Sequence, residues 1–390
     1  RFARVVISAC VWPWYSSGEP TCAQVFSNMS VKTSGTPVSF AIAGTAQIAQ
    51  NKVIPAVKDL PDIVKLVGVV SRNKERAEEY CKQHDAGEAL TYDELVSRQD
   101  IDAVYVAISS NVRNETIAKC IAAGKHIYSE KPHGGTVEEL KNLIDSCQAA
   151  GLQWMDGTMW YHSNRTLAME AKLNTLGKVK RVSSAFSWGP GLGLDDAWVN
   201  GGNGRTDKTR ELHGMLGDSG HYPISAILWA FRWQLPVKVQ ALHTKKNRVD
   251  TIIECDAFMW FADGGVAIMD TSCERPHRSQ FEIVCENGVL KVEDLVGGQG
   301  RSGNFGAYES PFVGSSSYIF GDATGKDEVI QNFDPCDHEK KLIEAFAAKV
   351  EAIRGGGSPD PEFGKRSLAT HTVMSAIFES AEKGGIPVEL

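Results

Sequence analysis

The chain has 390 residues, a formal net charge of −7, 42% hydrophobic residues and 23% charged residues. This length exceeds one ordinary domain, so we expect two. The acidic balance argues against a nucleic-acid partner, and no apolar run reaches the roughly 18 residues that would cross a membrane. The nine cysteines are scattered without a C-x-x-C pair. This pattern favours reduced thiols and a cytoplasmic location, and no metal site is predicted.

Residues 1–37 show no regular pattern, and we interpret them as a disordered or artefactual tail. The sequence begins at Arg1, and Met29 is an alternative start. Arg1 and Arg4 precede the apolar stretch 5–12, so an N-terminal targeting segment stays open.

Residues 38–158 alternate short apolar strands with helices, at the length of repeated βαβ units. This alternation predicts a doubly wound parallel sheet of the Rossmann type, whose ligands bind beyond the carboxyl ends of the strands. The predicted strands are 38–44, 64–70, 101–108 and 125–128, and the predicted helices are 45–60, 74–83, 115–123 and 137–150, with a short helical turn at 92–96.

Residues 159–390 change to the two-residue alternation of half-buried strands. We expect an α+β domain with a large, mostly antiparallel, open sheet that binds substrate and forms a homodimer. Asn287-Gly288 predicts a hairpin turn, and the Gly- and Ser-rich segment 297–321 predicts a mobile loop. The predicted strands are 179–186, 237–242, 257–261, 265–271, 280–285 and 289–292, and the predicted helices are 224–231, 337–354 and 365–383.

The turn after the first strand predicts a dinucleotide site. Glycine at this turn lets a pyrophosphate approach the backbone N–H groups at a helix start. Ala46 and Ala49 replace the second and third glycines of the usual motif, so an ordinary strand-to-helix turn remains the alternative. The residues expected to contact the cofactor here are Gly44, Thr45, Ala46, Gln47 and Ile48.

Ser71 and Arg72 follow the second strand, where NAD-binding folds usually carry an acidic residue for the ribose hydroxyls. A small hydroxyl followed by a guanidinium instead suits a 2′-phosphate, so NADP is favoured over NAD. A surface arginine that caps a loop is the alternative. The remaining strand ends add Ile108, Ser109, Asn111, Glu130 and Lys131 to the expected cofactor contacts.

Four segments resemble the Gfo/Idh/MocA (glucose–fructose oxidoreductase/inositol dehydrogenase) family, and the resemblance extends from Val38 to the C-terminus. It is most specific at Glu130-Lys131-Pro132. Tyr222 stands four residues after Asp218, as in the dimeric dihydrodiol dehydrogenase and NADP-dependent D-xylose dehydrogenase branch. The segments are 124–132, 157–166, 217–229 and 281–292.

The residue types suggest how an alcohol carbon would be oxidised. Tyr222 is the expected proton carrier, Lys131 would stabilise its phenolate, and Asp218 would orient Lys131 or a substrate hydroxyl. The resemblance implies the same three catalytic roles, and it also implies a cis peptide between Lys131 and Pro132. His221 is the alternative acid. The expected substrate contacts are Trp160, Arg165, Arg205 and His221.

Two departures from the family pattern bear on this site. Arg113 stands where many members carry a histidine, and Pro223 directly follows Tyr222. Because proline is tolerated only in a first helical turn, the segment from Asp218 to Tyr222 must be a first turn or a kinked one.

We therefore expect an NADP-dependent enzyme that transfers hydride to or from a CH–OH carbon of an aldose or cyclic diol, of the D-xylose 1-dehydrogenase or trans-dihydrodiol dehydrogenase type. The alternatives are an NADPH-dependent keto-sugar reductase and a non-catalytic NADP-binding redox sensor. Such a sensor would keep the cofactor motifs and lack Lys131, Asp218 and Tyr222, all of which are present.

Overall fold

The computed structural model describes residues 36–189, 194–296, 317–331 and 338–390. Residues 1–35 of the predicted tail and 297–316 of the predicted loop lie outside the described residues. The described chain belongs to one compact unit built on two sheets. In the described ranges, no helix has both the length and the apolar character needed to cross a bilayer.

The first sheet is the predicted doubly wound sheet. Its six strands are parallel and follow the order β3-β2-β1-β4-β5-β6. The apolar runs of β1 and β4 are buried along almost their whole length, as central parallel strands are. Both β3 and β6 were missed by the sequence analysis because three residues are too few to show a period. The strands are β1 Val38–Ala43, β2 Val64–Val70, β3 Glu88–Leu90, β4 Ala103–Val106, β5 His126–Ser129 and β6 Trp154–Asp156.

Helices connect these strands close to the predicted positions. Thr91 and Thr136 each form a capping box with the Glu three residues later, which fixes two of the helix starts. The predicted helix 115–123 begins earlier, at Ser110, next to the end of β4. The helical segments are Ala49–Val53, a π-helical turn continuing into Ile54–Lys58, then Lys74–His84, Tyr92–Ser97, Ser110–Ala122 and Val137–Ala149.

The second sheet has nine strands in the order β14-β13-β12-β11-β7-β10-β9-β8-β15. Its described pairs are antiparallel except β7 with β10. The predicted hairpin at Asn287-Gly288 joins β11 to β12. The loop prediction was wrong at its end, because 317–322 pairs with both β12 and β14. The strands are β7 Val179–Ser187, β8 Lys238–Lys246, β9 Ile252–Trp260, β10 Val266–Ser272, β11 Phe281–Cys285, β12 Gly288–Val292, β13 Ser317–Asp322, β14 Asp327–Gln331 and β15 Val388–Glu389.

The helices of the second half cover one face of this sheet and also reach the first. A buried, strongly apolar helix, His221–Ala230, packs on β7. The helix Glu362–Glu382 contacts both β6 and β8. The remaining helical segments are Met159–His162, Asn164–Leu173, Trp198–Gly202, Gly204–Thr206, Gly214–Asp218 and His338–Arg354.

The helix His338–Arg354 completes the core of the first sheet although it lies near the far end of the chain. The ring of Phe346 lies 5.5 Å from Phe40 and 6.0 Å from Tyr128, measured between centroids. The guanidinium of Arg354 makes an ion pair of 2.7 Å with Asp102 at the start of β4. Distant segments of the sequence therefore share one hydrophobic core.

Candidate active site

The first functional group of the crevice is the lysine that follows β5. The segment leaves the carboxyl end of the sheet at Ser129, and the Lys131–Pro132 peptide is cis, as the resemblance implies. The Lys131 ammonium donates hydrogen bonds to the backbone carbonyl of Asp218 at 2.8 Å and to its Oδ1 at 3.0 Å. The structure therefore brings together two predicted catalytic residues that are 87 positions apart.

Tyr222 lies on the other side of the lysine. The Nζ of Lys131 is 4.6 Å from the centroid of the Tyr222 ring, within the range of a cation–π interaction. The ring is 8% exposed and packs edge-on against Phe186 of β7 at 5.4 Å. All three predicted catalytic residues thus meet in one cluster.

The backbone at this cluster is broken rather than continuous. One helix ends at Asp218 and the next begins at His221, so Pro223 falls in a first turn where its missing N–H costs nothing. The kinked alternative is confirmed. Each side chain reaches Lys131 from its own helix.

Asp218 connects two cations. Its Oδ2 lies 3.1 Å from the Nε of Arg205, and its Oδ1 binds Lys131. Burial would raise the pKa of this carboxyl, but Lys131 and Arg205 outweigh burial and lower the pKa to about 2. Asp218 is therefore ionised at neutral pH and orients both cations.

Burial and charge act in opposite directions on the other two members. Burial raises the pKa of Tyr222 to about 12, although the ammonium of Lys131 lowers it in part. Burial opposes the charge of Lys131, but Asp218 and Tyr222 raise the pKa of the ammonium overall. At neutral pH the cluster therefore holds a phenol, an ammonium and a carboxylate.

His221, the alternative acid, is turned to a different neighbour. Its Nε2 lies 2.7 Å from the hydroxyl of Thr158, and the residue is 1% exposed. Burial lowers the pKa of the imidazole to about 3 despite the nearby Asp156. A neutral, enclosed imidazole is less suited than Tyr222 to exchange a proton with a ligand in the crevice.

Like His221, two further expected substrate contacts are almost fully buried. Trp160 is 1% exposed and its indole N–H donates to Ser225 at 3.2 Å. Arg165 is also 1% exposed, and its guanidinium donates to the carbonyls of Asp294 and Leu295. Side chains with 1% exposure and these internal partners offer almost no surface to a substrate, which argues against both contacts. The aromatic side chain beside Tyr222 is Phe186, which the sequence analysis did not select.

The turn after β1 has the backbone geometry that a dinucleotide needs. Gly44 has φ +113°, and a Cβ at this position would lie 2.6 Å from the carbonyl oxygen of Ala107. The helical backbone that follows begins at Gln47, and Ala46 before it has no side-chain group that could cap the helix. A single glycine in the turn before a helix start without a side-chain cap fits a pyrophosphate.

Some of the other predicted cofactor residues lie at the strand ends, and others are already hydrogen-bonded within the protein. Ser71 and Arg72 stand at the end of β2, where the Arg72 side chain is exposed. Ile108 and Ser109 lie at the end of β4, and the Ile108 side chain closes the space behind Gly44. The side chain of Asn111, by contrast, donates to the carbonyl of Thr209 at 2.9 Å.

Glu130, also predicted at the cofactor, serves as internal support. One carboxyl oxygen accepts from the Tyr105 hydroxyl at 2.6 Å, and the other accepts from the backbone N–H of Lys131 at 3.2 Å. Burial raises the pKa of this carboxyl. Thr45, Ala46, Gln47 and Ile48 line the turn and helix start after Gly44.

Glu211 is a buried carboxyl of the crevice that the sequence analysis missed. It is 8% exposed, and its Oε1 lies beside Gly217, 3.2 Å from where a Cβ on that glycine would stand. Burial raises the pKa of Glu211 to about 7, against the opposing hydrogen bond from Ser110 and the charge of Arg113. A glutamate in a polar loop carries no local sequence signal of such burial. Over the described ranges, no group of three or more His, Cys, Asp or Glu residues could hold a metal ion.

Comparison with known proteins identifies the family. A model described as "Oxidoreductase family, NAD-binding Rossmann fold" matches residues 38–158, and the "GFO/IDH/MocA C-terminal domain" matches residues 169–291. The two matches cover more than half of the chain. This chain belongs to the Gfo/Idh/MocA family. It is an NAD(P)-dependent oxidoreductase.

Curated relatives in the family act on several substrates. The chain is 25% identical to "D-xylose 1-dehydrogenase (NADP(+)) 2" of Haloferax volcanii over 88% of this chain and 98% of that protein. It is 27% identical to trans-1,2-dihydrobenzene-1,2-diol dehydrogenase of Bos taurus over 46% of this chain and 51% of that protein. It is 25% identical to a dTDP-sugar 3-reductase of Saccharopolyspora spinosa over 66% of this chain and 75% of that protein.

Solved structures support the same fold. An aldose-aldose oxidoreductase from Caulobacter crescentus superposes with a TM-score of 0.74 at 20% identity, covering 91% of this chain and 100% of that one. A 3-ketoreductase from Actinomadura kijaniata, solved with NADP and TDP-benzene, gives 0.71 at 22% identity, covering 88% and 98%. The predicted fold class is confirmed: a parallel Rossmann sheet joined to an open, mostly antiparallel sheet.

Proposed function

We propose that this chain transfers hydride between NADP and a CH–OH carbon of an aldose or a cyclic diol. The observation that carries the proposal is the contact of Lys131 with both Asp218 and Tyr222 beside the strand ends of the first sheet. When bound, the nicotinamide supplies the redox chemistry. The protein must supply a proton carrier and the orientation of the reacting carbon.

Lys131, Asp218 and Tyr222 would divide these tasks. Tyr222 gives a proton to the reacting oxygen in reduction and takes one from it in oxidation. Lys131 stabilises the phenolate through its charge, since its Nζ lies 4.6 Å from the ring centroid. Asp218 holds Lys131 and Arg205 in fixed positions. Arg205 retains 40% of its side-chain exposure, so it can offer its remaining N–H groups to a sugar hydroxyl.

NADP is the cofactor of this proposal. Gly44 and the uncapped helix start would hold the pyrophosphate, and the exposed Arg72 would pair with the 2′-phosphate. The xylose dehydrogenase relative, matched over almost its whole length, is named for NADP(+). The ketoreductase relatives and the protonated state of Tyr222 favour a second candidate, reduction of a keto-sugar by NADPH.

We also infer a homodimer through the outer face of the second sheet and a cytoplasmic location. Phe258, Trp260 and Ile268 lie half-buried on that face, opposite the inward Met259 and Met269. The same face also carries Asp256 and Asp270, and a face that mixes half-buried apolar side chains with charged ones suits a symmetric contact between two copies. Light scattering that gave the mass of one chain would contradict the dimer.

A substrate screen tests the proposed function. The formation of NADPH is followed with pentoses, hexoses and cyclic diols, and its consumption is followed with keto-sugars. We expect turnover in one class, and we expect Lys131→Met to abolish it while NADPH still quenches tryptophan fluorescence. Undiminished turnover in Lys131→Met would refute the catalytic role. Cofactor binding with no turnover in any class would favour the redox sensor.

A further inference from the structure

The segment after β5 is held from one side by a buried arginine. Arg113 lies on the helix Ser110–Ala122 and is only 5% exposed. Its Nη1 donates to the carbonyl oxygens of Glu130 and Pro132, both at 2.5 Å. These two carbonyls belong to the residues immediately before and after Lys131.

The same guanidinium also reaches the end of the neighbouring strand. Its Nε and Nη2 both donate to the carbonyl oxygen of Ile108, at 3.0 and 2.6 Å. One planar group therefore ties the carboxyl end of β4 to the backbone on both sides of Lys131. Lysine could not reproduce this pattern, since an ammonium carries all its donors on a single nitrogen.

Neighbouring contacts show that this region is closely fitted. The Asn114 side chain donates to the carbonyl of Gly134 at 3.1 Å. A Cβ at Gly134 would lie 2.1 Å from the carbonyl oxygen of Ser110, so the segment can approach the helix only with glycine there. The helix that carries Arg113 and the segment after β5 are therefore packed closely together. A small shift of the backbone on one side must displace the other side.

Burying a guanidinium is costly, which argues for a specific use of its charge. Burial lowers the pKa of Arg113, and the carboxyls of Glu211 and Glu130 oppose that effect. Glu211 comes from the second half of the chain, next to Gly217 of the helix that presents Asp218. The charge of Arg113 therefore interacts with a carboxyl of the lysine segment and with one from the second half of the chain.

We propose that Arg113 is a positioning residue for the reaction, because it fixes the backbone on both sides of Lys131 and so aims the ammonium at Asp218 and Tyr222. The inference rests on the proposed function. Arg113 does not touch the reacting atoms and acts only through Lys131. A misplacement of about 1 Å at a catalytic group can cost roughly 100-fold in rate.

Two variants test this role. Arg113→Lys keeps the positive charge but loses the separate N–H donors of the guanidinium. Arg113→Gln loses the charge and has fewer hydrogen-bond donors. We expect kcat to fall roughly 100-fold in Arg113→Gln and less in Arg113→Lys, with the affinity for NADPH nearly unchanged. Lys119→Met, on an exposed position of the same helix, is the control that should keep the wild-type kcat.

The pH profile separates positioning from mere stability. If Lys131 moves away from Tyr222, the phenolate loses stabilisation, so the rise of the oxidation rate with pH should shift to higher pH in both variants. An unchanged profile, a kcat that falls only in step with the folded fraction measured by circular dichroism, or a loss of NADPH binding with kcat intact would overturn the proposal. Cofactor binding by the wild-type chain with no turnover in any substrate class would instead overturn the proposed function, so the two failures are distinguishable.

Discussion

The two sides of the crevice are built on different principles. The cofactor edge, which comprises 44–48 with Ser71 and Arg72, consists of a backbone turn and an exposed arginine. The catalytic cluster, which comprises Lys131, Arg205, Asp218 and Tyr222, is held together by its own ion pairs. In the cluster, Lys131 and Asp218 keep only 11% and 12% of their side-chain exposure. The geometry of the cluster is therefore internal to the fold, whereas the proposed selectivity for NADP would depend on one exposed side chain.

The sharpest test of the cluster compares Tyr222→Phe with His221→Asn. Removal of a positioned general acid or base costs about 10²–10⁴-fold in rate, so Tyr222→Phe should lower kcat by that amount. His221→Asn should keep kcat near wild type, because His221 is enclosed and paired with Thr158. Steady-state kinetics with saturating cofactor provide the measurement. Activity that survived in Tyr222→Phe and disappeared in His221→Asn would transfer the role to His221.

A substitution at the cofactor edge should have a smaller effect than one in the cluster. It should change only the preference for NADPH over NADH. A charge-assisted hydrogen bond contributes about 1.5–3 kcal/mol, so Arg72→Ala should weaken NADPH binding about tenfold or more. NADH binding should change little, since NADH lacks the 2′-phosphate that the guanidinium would contact. Tryptophan fluorescence titrations measure both affinities. Lys82→Ala, at an exposed position of the next helix, serves as the control. An equal loss of affinity for NADPH and NADH would show that Arg72 does not select the cofactor, and it would contradict the proposed difference between the cofactor edge and the cluster.

The smallest expected effect concerns the pH dependence of stability at Glu211, which lies beside Gly217 of the helix that ends at Asp218. Its pKa is raised from 4.5 to about 7 by burial, so the folded chain holds a proton that the unfolded chain releases between these values. The stability of the wild type should therefore fall as pH rises from about 4.5 to 7. Glu211→Gln removes this penalty, so its Tm should exceed that of wild type at pH 8 and match it near pH 4.

Glu78→Gln, at an exposed position, is the matched control for this series. A difference in Tm between Glu211→Gln and wild type that stayed constant across this pH range would show that the carboxyl does not titrate in that window.

Periodicity and strand-end chemistry predicted most of the fold and the members of the cluster. The four longer strands and the helices of the first sheet lie close to their expected positions. Central strands are apolar runs that end at recognisable glycine, proline or polar residues, so their positions can be predicted. Lys131, Asp218 and Tyr222 were accessible through motif spacing. The contact between them depends on tertiary packing.

Other features carry no local signal. Trp160 and Arg165 are of residue types that often contact sugars. Only their burial in the folded chain shows that they belong to the core. Arg113 could be noted as a departure, but its three carbonyl partners come from two other segments. Pro223 predicts the break in the helix before His221. The directions in which Asp218 and Tyr222 point on either side of the break could not be predicted from the sequence.

The helix His338–Arg354 has a consequence for protein engineering. It packs Leu342 and Phe346 into the same core as Phe40 and Tyr128, so one face of the nucleotide-binding sheet is covered by residues from the other end of the chain. A fragment cut at residue 158 would leave that face in water. Exchange of nucleotide-binding halves between family members would have to carry this helix as a second, separate insert.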